Sequence, residues 1–195
     1  MPNPTPRRRD AAVTRDAIVL SARKAFAHCG YDRTGLGEIA AGAGLTVMLV
    51  NRYFASKEQL FAEVVAEALA SPVTLTPDHL SVQNLGRSIA TALVSMTEAG
   101  STPLEGFLIM LQSALSKRAA VMGREQLEKA HQAPLAAALE GAHHQERAAL
   151  VLALVLGFQV MRQRLELSAL AKADPQVLIE LLTPLFQQLV DGQPA

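Results

Sequence analysis

The most chemically suggestive stretch of the chain runs from Thr46 to Lys57, reading TVMLVNRYFASK. It places a hydroxyl, an amide, a guanidinium, a phenol and an ammonium close together, donors that suit phosphate oxygens and base edges rather than bond breaking. Upstream, Arg7-Arg8-Arg9 reads either as a solvated charge run or as a group that enters a minor groove or holds phosphate. Catalytic chemistry has less to stand on. Glu128 with His131 and Glu140 with His143 both have the Glu-x-x-His spacing of carboxylate-bridged di-metal bundles. The two pairs lie only twelve residues apart, across Pro134 and Gly141, instead of on two separate long helices, and Glu105, Glu166 and Glu180 show no matching placement. His143-His144 reads as an exposed turn. With no Gly-rich phosphate loop, no Ser-His-Asp arrangement and no nucleophilic cysteine context, the expectation is a non-enzyme without cofactor or metal.

Composition narrows the class further. The chain has 195 residues, half of them hydrophobic and 18% charged, with 18 Lys+Arg balancing 18 Asp+Glu. That is too apolar for a disordered protein and too neutral for one that coats polyanions evenly. The balance is not uniform. Residues 1–57 hold nine basic and four acidic side chains, a net of +5, and residues 58–195 hold nine and fourteen, a net of −5. Such asymmetry is expected where only one end meets a polyanion. A single cysteine, Cys29, excludes a disulfide framework and points to a reducing, cytoplasmic compartment. No continuous apolar run or small-residue cleavage site follows the basic N-terminus. The longest apolar stretch, Ala148 to Met161, is interrupted by Gly157 and Gln159 and falls short of the roughly 18 to 20 residues of a membrane span.

The elements that must position these residues read as helices throughout, because Ala, Leu, Glu, Gln and Arg recur at helical spacing and no alternating strand pattern appears. The spacing predicts a first helix from about Asp10 to Cys29, ended by Gly30 in a left-handed conformation. Short helices follow over Leu36 to Ala43 and Val47 to Tyr53, joined through Ala41-Gly42-Ala43-Gly44. Thr46 should cap the third helix, and Ser56-Lys57-Glu58-Gln59 is a capping box for a fourth. Beyond the prolines at 72 and 77, longer helices are expected over about 77–98, 103–116, 119–132, 145–167 and 175–189, with a short piece ending at Leu139. The division that results is a mobile basic arm at 1–10, a three-helix domain at 11–55, a connecting helix at 56–70 and a larger helical domain at 71–195.

Three helices with two short ones joined by a Gly-containing turn form a helix-turn-helix pattern. More specific are Phe26, Gly30-Tyr31, Thr34, Ile39-Ala40, Ala43-Gly44-Leu45-Thr46, Tyr53-Phe54 and Ser56-Lys57-Glu58-Gln59-Leu60. In order and spacing, residues 12–65 resemble the DNA-binding domain of the tetracycline-repressor (TetR) family. The same residues have structural work to do, since Ile18, Phe26, Ile39, Ala40, Leu45, Val50 and Phe54 are the apolar points that close a small three-helix core. Lys57, at the positive start of the fourth helix, suits a phosphate, as do Thr34 before the second helix and Tyr53. Gly35 and Gly37 would permit a close approach of backbone to DNA or merely a weak helix.

The resemblance implies that the third helix lies in the major groove, with Thr46, Val47, Met48, Leu49, Asn51 and Arg52 as candidates for contact. Two departures from the family pattern stand out: the position of Asn51 is usually aromatic, and Val47-Met48-Leu49 is unusually apolar for a recognition surface. Asn51 could read adenine while the trio packs on thymine methyls. Alternatively, part of the trio turns inward with Val50 and leaves specificity to Asn51, Arg52 and their neighbours.

The resemblance also implies a homodimer, an operator with two-fold symmetry, and a small effector bound by the larger domain. Candidates for the dimer seam are Leu150, Val151, Leu154 and Val155 on one helix, with Leu178, Leu181, Leu182, Leu185, Phe186 and Leu189 on the last. Met96, Phe107, Met110, Leu111, Leu115, Met122, Phe158 and Met161 are either plain core or an adaptable apolar pocket, with Gln112 or His131 as polar handles. The reading is a repressor of transcription released by an apolar effector. The alternatives are a binding module that has lost specific DNA recognition and a di-metal enzyme.

Overall fold

A computed structural model describes residues 6–69, 84–98 and 105–192. Among them every regular element is a helix: α1 Pro6–Arg33, α2 Leu36–Gly42, α3 Val47–Tyr53, α4 Lys57–Leu69, α5 Leu85–Met96, α6 Glu105–Ser113, α7 Lys117–Leu127, α8 Ala133–Ala138, α9 His144–Gln159, α10 Ser168–Ala171 and α11 Pro175–Asp191. Wide π turns at Glu128–Gln132 and Val160–Arg164 follow α7 and α9. The protein is all-α. The connector prolines at 72, 77 and 103, and Gly100, lie outside the described residues.

The chain forms two compact units. The first comprises residues 1–68 with 105–126, and the second 69–104 with 127–195. Thus α6 and α7, which the sequence groups with the larger domain, cluster with the head. By this division the first unit carries +3 and the second −3, so the polarity of charge persists in a smaller form.

In the first unit α1 is longer than its periodicity suggests. Pro6 opens it, a residue whose fixed φ suits a first helical position, so Arg7, Arg8 and Arg9 belong to its opening turns and not to an arm ahead of it. Helical geometry breaks at Gly30, with φ 73° and ψ 175°, before the chain resumes to Arg33. Ile18, Phe26, Ile39, Val50, Phe54, Leu60 and Phe61 are fully buried. Phe26, Tyr31 and Phe61 form a ring cluster with centroids 5.0 to 6.1 Å apart. Arg15 pairs with Glu63 and lies 5.3 Å from the Phe54 ring centre, tying α1 to α4.

The second unit has an aliphatic core: Leu85, Ile89 and Leu93 of α5, Leu135 of α8, Val151 and Val155 of α9, and Phe186 and Val190 of α11. Two buried arginines close its helix ends. Arg147 donates to the carbonyls of Leu189 (3.2 Å) and Val190 (2.9 Å), with a further bond to the carbonyl of Glu140. Arg162 donates to the Val94 carbonyl and to Thr97 Oγ1, both at 2.8 Å. Each guanidinium thereby meets the negative end of a helix and satisfies carbonyls that the helix leaves unpaired. The α-helix expected over 145–167 gives way after Gln159 to the wide π turn of Val160–Arg164, in which Arg162 is buried.

Candidate nucleic-acid interface

The turn between α2 and α3 has a specific geometry. The N–H of Leu45 donates to the Ala40 carbonyl (2.8 Å) and that of Gly44 to the Ala41 carbonyl (3.0 Å), the two bonds of a Schellman motif. Gly44 has φ 69°, which a side chain would strain. The motif ends α2 and turns the chain directly into Thr46, whose hydroxyl accepts the N–H of Leu49 (3.3 Å) and caps α3. One seven-residue helix is thereby fixed on a short turn, with Val50 fully buried beneath it.

What α3 shows to solvent follows from that anchor. Val47 is 39% exposed and Met48 81%, and Asn51 and Arg52 are exposed beside them. Leu49 and Tyr53 are half-buried. The apolar trio therefore divides: Val47 and Met48 face outward and Leu49 turns partly in. Gly35, the residue before α2, and Gly37 within it both have open space where a Cβ would stand.

Thr34 is a correction to the sequence reading. Its side chain is 1% exposed, and its hydroxyl is directed to the carbonyls of Gly30 (2.8 Å) and Ala25 (3.2 Å). It joins the end of α1 together and offers no hydroxyl to phosphate. Arg7, Arg8 and Arg9 are placed by backbone alone.

The start of α4 carries the densest polar arrangement. Ser56 Oγ accepts the N–H of Gln59 (3.2 Å), and Gln59 Oε1 returns a bond to the N–H of Ala55 (2.8 Å), a capping box displaced by one residue on its return arm. Lys57 Nζ stands 4.3 Å from the centre of the Tyr31 ring. Next to it, Glu58 pairs with Arg118 of α7 at 2.7 Å. The Glu58 carboxyl is held below its ordinary pKa by its own backbone N–H first, then by hydrogen bonds from Tyr31, Ser56 and Arg118. The Tyr31 phenol is pushed up by burial and by its hydrogen bond to, and the charge of, Glu58. The Tyr31 N–H also donates to Ser113 Oγ of α6 (3.0 Å), so the start of α4 is tied to both α6 and α7. The sequence reading names Lys57 and not Arg118, which is distant along the chain and lies in no motif.

The residues expected around an effector separate between the units. Met110, Leu111, Leu115 and Met122 belong to the first unit, Phe107 to α6 by its backbone alone, and Met96, His131, Phe158 and Met161 to the second. Leu115 is 99% exposed at the α6–α7 turn, which overturns its reading as plain core, because the turn carries it into solvent. Met110 packs over Gly123, while Met96 and Phe158 pack against the second unit's core. Burial lowers the pKa of His131, partly offset by a hydrogen bond to the Leu69 carbonyl. The described residues of the first unit line clefts on its surface. One of 400 Å³ is lined by Leu20, Lys24, His28 and Glu38 among others, and one of 370 Å³ by Cys29, Tyr31, Gln112 and Leu115 among others.

The seam candidates divide as well. Val151, Val155 and Phe186 are buried in their own unit's core, Leu182 and Leu189 pack against it, and Leu178 is buried as well. Leu150, Leu154 and Leu185 are exposed, with Leu181 and an unexpected Val177. Val177, Leu181 and Leu185 recur every four residues along one side of α11.

Among the described residues no group of three or more His, Cys, Asp or Glu side chains could hold a metal ion. His143 has φ 57° just before α9, and Glu128 and His131 share a π turn. No helix among the described residues is long and apolar enough to cross a membrane.

A buried, capped helix-turn-helix with a polar and apolar outer face, followed by a helical second unit, defines a class of DNA-binding regulator. Residues 18–64 match the model of bacterial regulatory proteins of the tetR family, and residues 83–190 match that of the tetracyclin repressor-like C-terminal domain. The chain belongs to the TetR family of transcriptional regulators. Among solved structures, it is similar to a TetR-family regulator from Streptomyces coelicolor A3, at 24% identity and a TM-score of 0.56 over 93% of this chain and 96% of that one. It also resembles a transcriptional regulator from Pseudomonas aeruginosa PAO1, at 14% identity and a TM-score of 0.69 over 91% and 90% of the two chains. A third is the transcriptional regulator FadR from Bacillus subtilis in complex with stearoyl-CoA, at 18% identity and a TM-score of 0.61 over 91% and 98%. No curated protein matches the chain.

Proposed function

We propose that this protein is a homodimeric repressor that reads a palindromic operator with α3 and is released by a small apolar effector. The observation that carries the DNA reading is the outer face of α3, where Val47, Met48, Asn51 and Arg52 stand exposed on a helix pinned by Val50 and Thr46. A bidentate Asn51 on adenine and Val47 and Met48 on thymine methyls suit an A/T-containing half-site. Arg52, Tyr53 and Lys57 serve the phosphates, and the open space at Gly35 leaves room for a backbone to come close. In this reading residues 11–55 hold the DNA, 56–70 connect, and helices of 71–195 dimerise and bind the effector. Leu150, Leu154, Val177, Leu181 and Leu185 then meet a second copy, setting two α3 helices about 34 to 36 Å apart, one turn of DNA.

An apolar effector is supported by the methionines and by the FadR structure, whose fold accommodates stearoyl-CoA. Met96 and Phe158, partly buried at the edge of the second core, with His131 as polar handle, are the side chains we assign to it.

Selection from a random pool of double-stranded DNA tests this reading. A palindrome enriched with half-sites one turn apart is the expected result; no enrichment favours a module that has lost DNA recognition. On the enriched fragment, Lys57→Ala should weaken binding to all sequences and reduce the salt slope by about 1, whereas Asn51→Ala should cost about 1 to 3 kcal/mol and relax preference at one base pair. Identical behaviour of the two variants would remove the division of roles.

A further inference from the structure

The start of α4 poses an electrostatic problem. Lys57 is the ammonium assigned to a DNA phosphate, yet the next side chain, Glu58, puts a carboxylate on the same first turn and accepts its own backbone N–H there. A phosphate arriving at Lys57 would meet that carboxylate as a like charge, and the two would compete for the same positive helix end. Arg118 answers the carboxylate from α7, with Nη1 2.7 Å from Glu58 Oε1. Tyr31 completes the corner: its ring lies under the Lys57 ammonium.

We propose that Arg118, outside the helix-turn-helix, is a positioning residue for DNA binding: by holding the Glu58 carboxylate it leaves the Lys57 ammonium and the start of α4 to the phosphate. This inference rests on the reading of Lys57 as a phosphate contact. With Arg118 in place the Lys57, Glu58 and Arg118 side chains sum to one positive charge; without it they sum to zero. The pair is exposed, with the Arg118 side chain 71% accessible, so its effect is severalfold and screened by salt. It also makes DNA affinity depend on the docking of α6 and α7, which meet the same corner through Ser113 and Arg118.

The test is a cycle on the full-length protein, using the double-stranded fragment that the wild-type chain enriches from a random pool. Arg118→Ala should weaken binding about three- to tenfold at low salt, with a smaller loss at high salt and little change in thermal unfolding. Arg118→Lys should retain most of the affinity. Glu58→Gln should bind at least as well as the wild type, and the double variant Arg118→Ala with Glu58→Gln should return to within about twofold of Glu58→Gln alone. Wild-type affinity in Arg118→Ala overturns the inference, as does a double variant as weak as Arg118→Ala, which would mean that Arg118 acts other than through Glu58. Lys57→Ala separates the two levels. If it weakens binding while Arg118→Ala does not, only this inference falls; if it leaves binding unchanged, the phosphate reading falls and takes the inference with it.

Discussion

The two units expose hydrophobic side chains in different ways. On α3 the exposed Val47 and Met48 are interleaved with Asn51 and Arg52, so every apolar contact has a polar neighbour within one turn. On α11 Val177, Leu181 and Leu185 recur along one side, and on α9 Leu150 and Leu154 do the same. Exposed apolar area alone names no partner. Under the proposed reading the interleaved face suits base edges, which present methyls beside donors and acceptors, and the apolar rows suit a second copy.

The sharpest way to break this contrast is to charge the second surface. Leu181→Glu with Leu185→Glu removes two large apolar groups per copy from the proposed seam, each worth about 1.5 to 3 kcal/mol when buried. The dimer should weaken by at least about a hundredfold and sediment as a monomer at micromolar concentration. Thermal unfolding of the separated chain should change little, since both side chains are exposed within the chain. A variant that remains dimeric would move the seam elsewhere.

Glycine sharpens the comparison at the next level of effect. Gly86 of α5 meets α11 so closely that a Cβ would lie 2.5 Å from the Gln187 nitrogen, and the Gly86 N–H donates to Gln187 Oε1 at 2.9 Å. Gly37 of α2 has nothing within 4 Å of the same position. Ala is the better helix former by about 1 kcal/mol, so Gly37→Ala should raise the unfolding temperature slightly. Gly86→Ala should lower it, by about 1 to 3 kcal/mol of stability, because backbone must shift to admit the methyl. Calorimetry of both variants gives opposite signs if the two helices are packed as described.

The pair also shows what the sequence could convey. The head was legible because its signals are local: the bounds of α3, the Thr46 cap, the Ser56 cap and the buried Val50 all follow from residues within a turn or two. In the body the helices were legible and their faces were not. Leu178 and Leu181 are the same residue type three apart, and only the packing of the folded chain decides that one is buried and the other is surface. Thr34 failed for a similar reason, since a hydroxyl before a helix reads as a donor to solvent until the carbonyls of Ala25 and Gly30 are placed around it. Contacts of long sequence separation, Glu58 with Arg118 and Arg162 with Val94, leave no periodic trace.

The smallest effect concerns protonation in the second unit. His131 is partly buried, and burial holds its pKa below the ordinary histidine value despite the bond to Leu69. The unfolded chain therefore binds a proton at a higher pH than the folded one, and stability should be full above about pH 6.5. It should decline as pH falls through the window down to the lowered folded value, and the decline should be complete below it. His131→Gln, which keeps an amide donor for the Leu69 carbonyl and cannot titrate, should flatten this part of the curve. Unfolding midpoints from pH 7.5 to 5, compared between wild type and His131→Gln, measure it directly. A stability difference between the two proteins that stays constant across this range would show that the half-buried imidazole does not contribute to the pH response of the second unit.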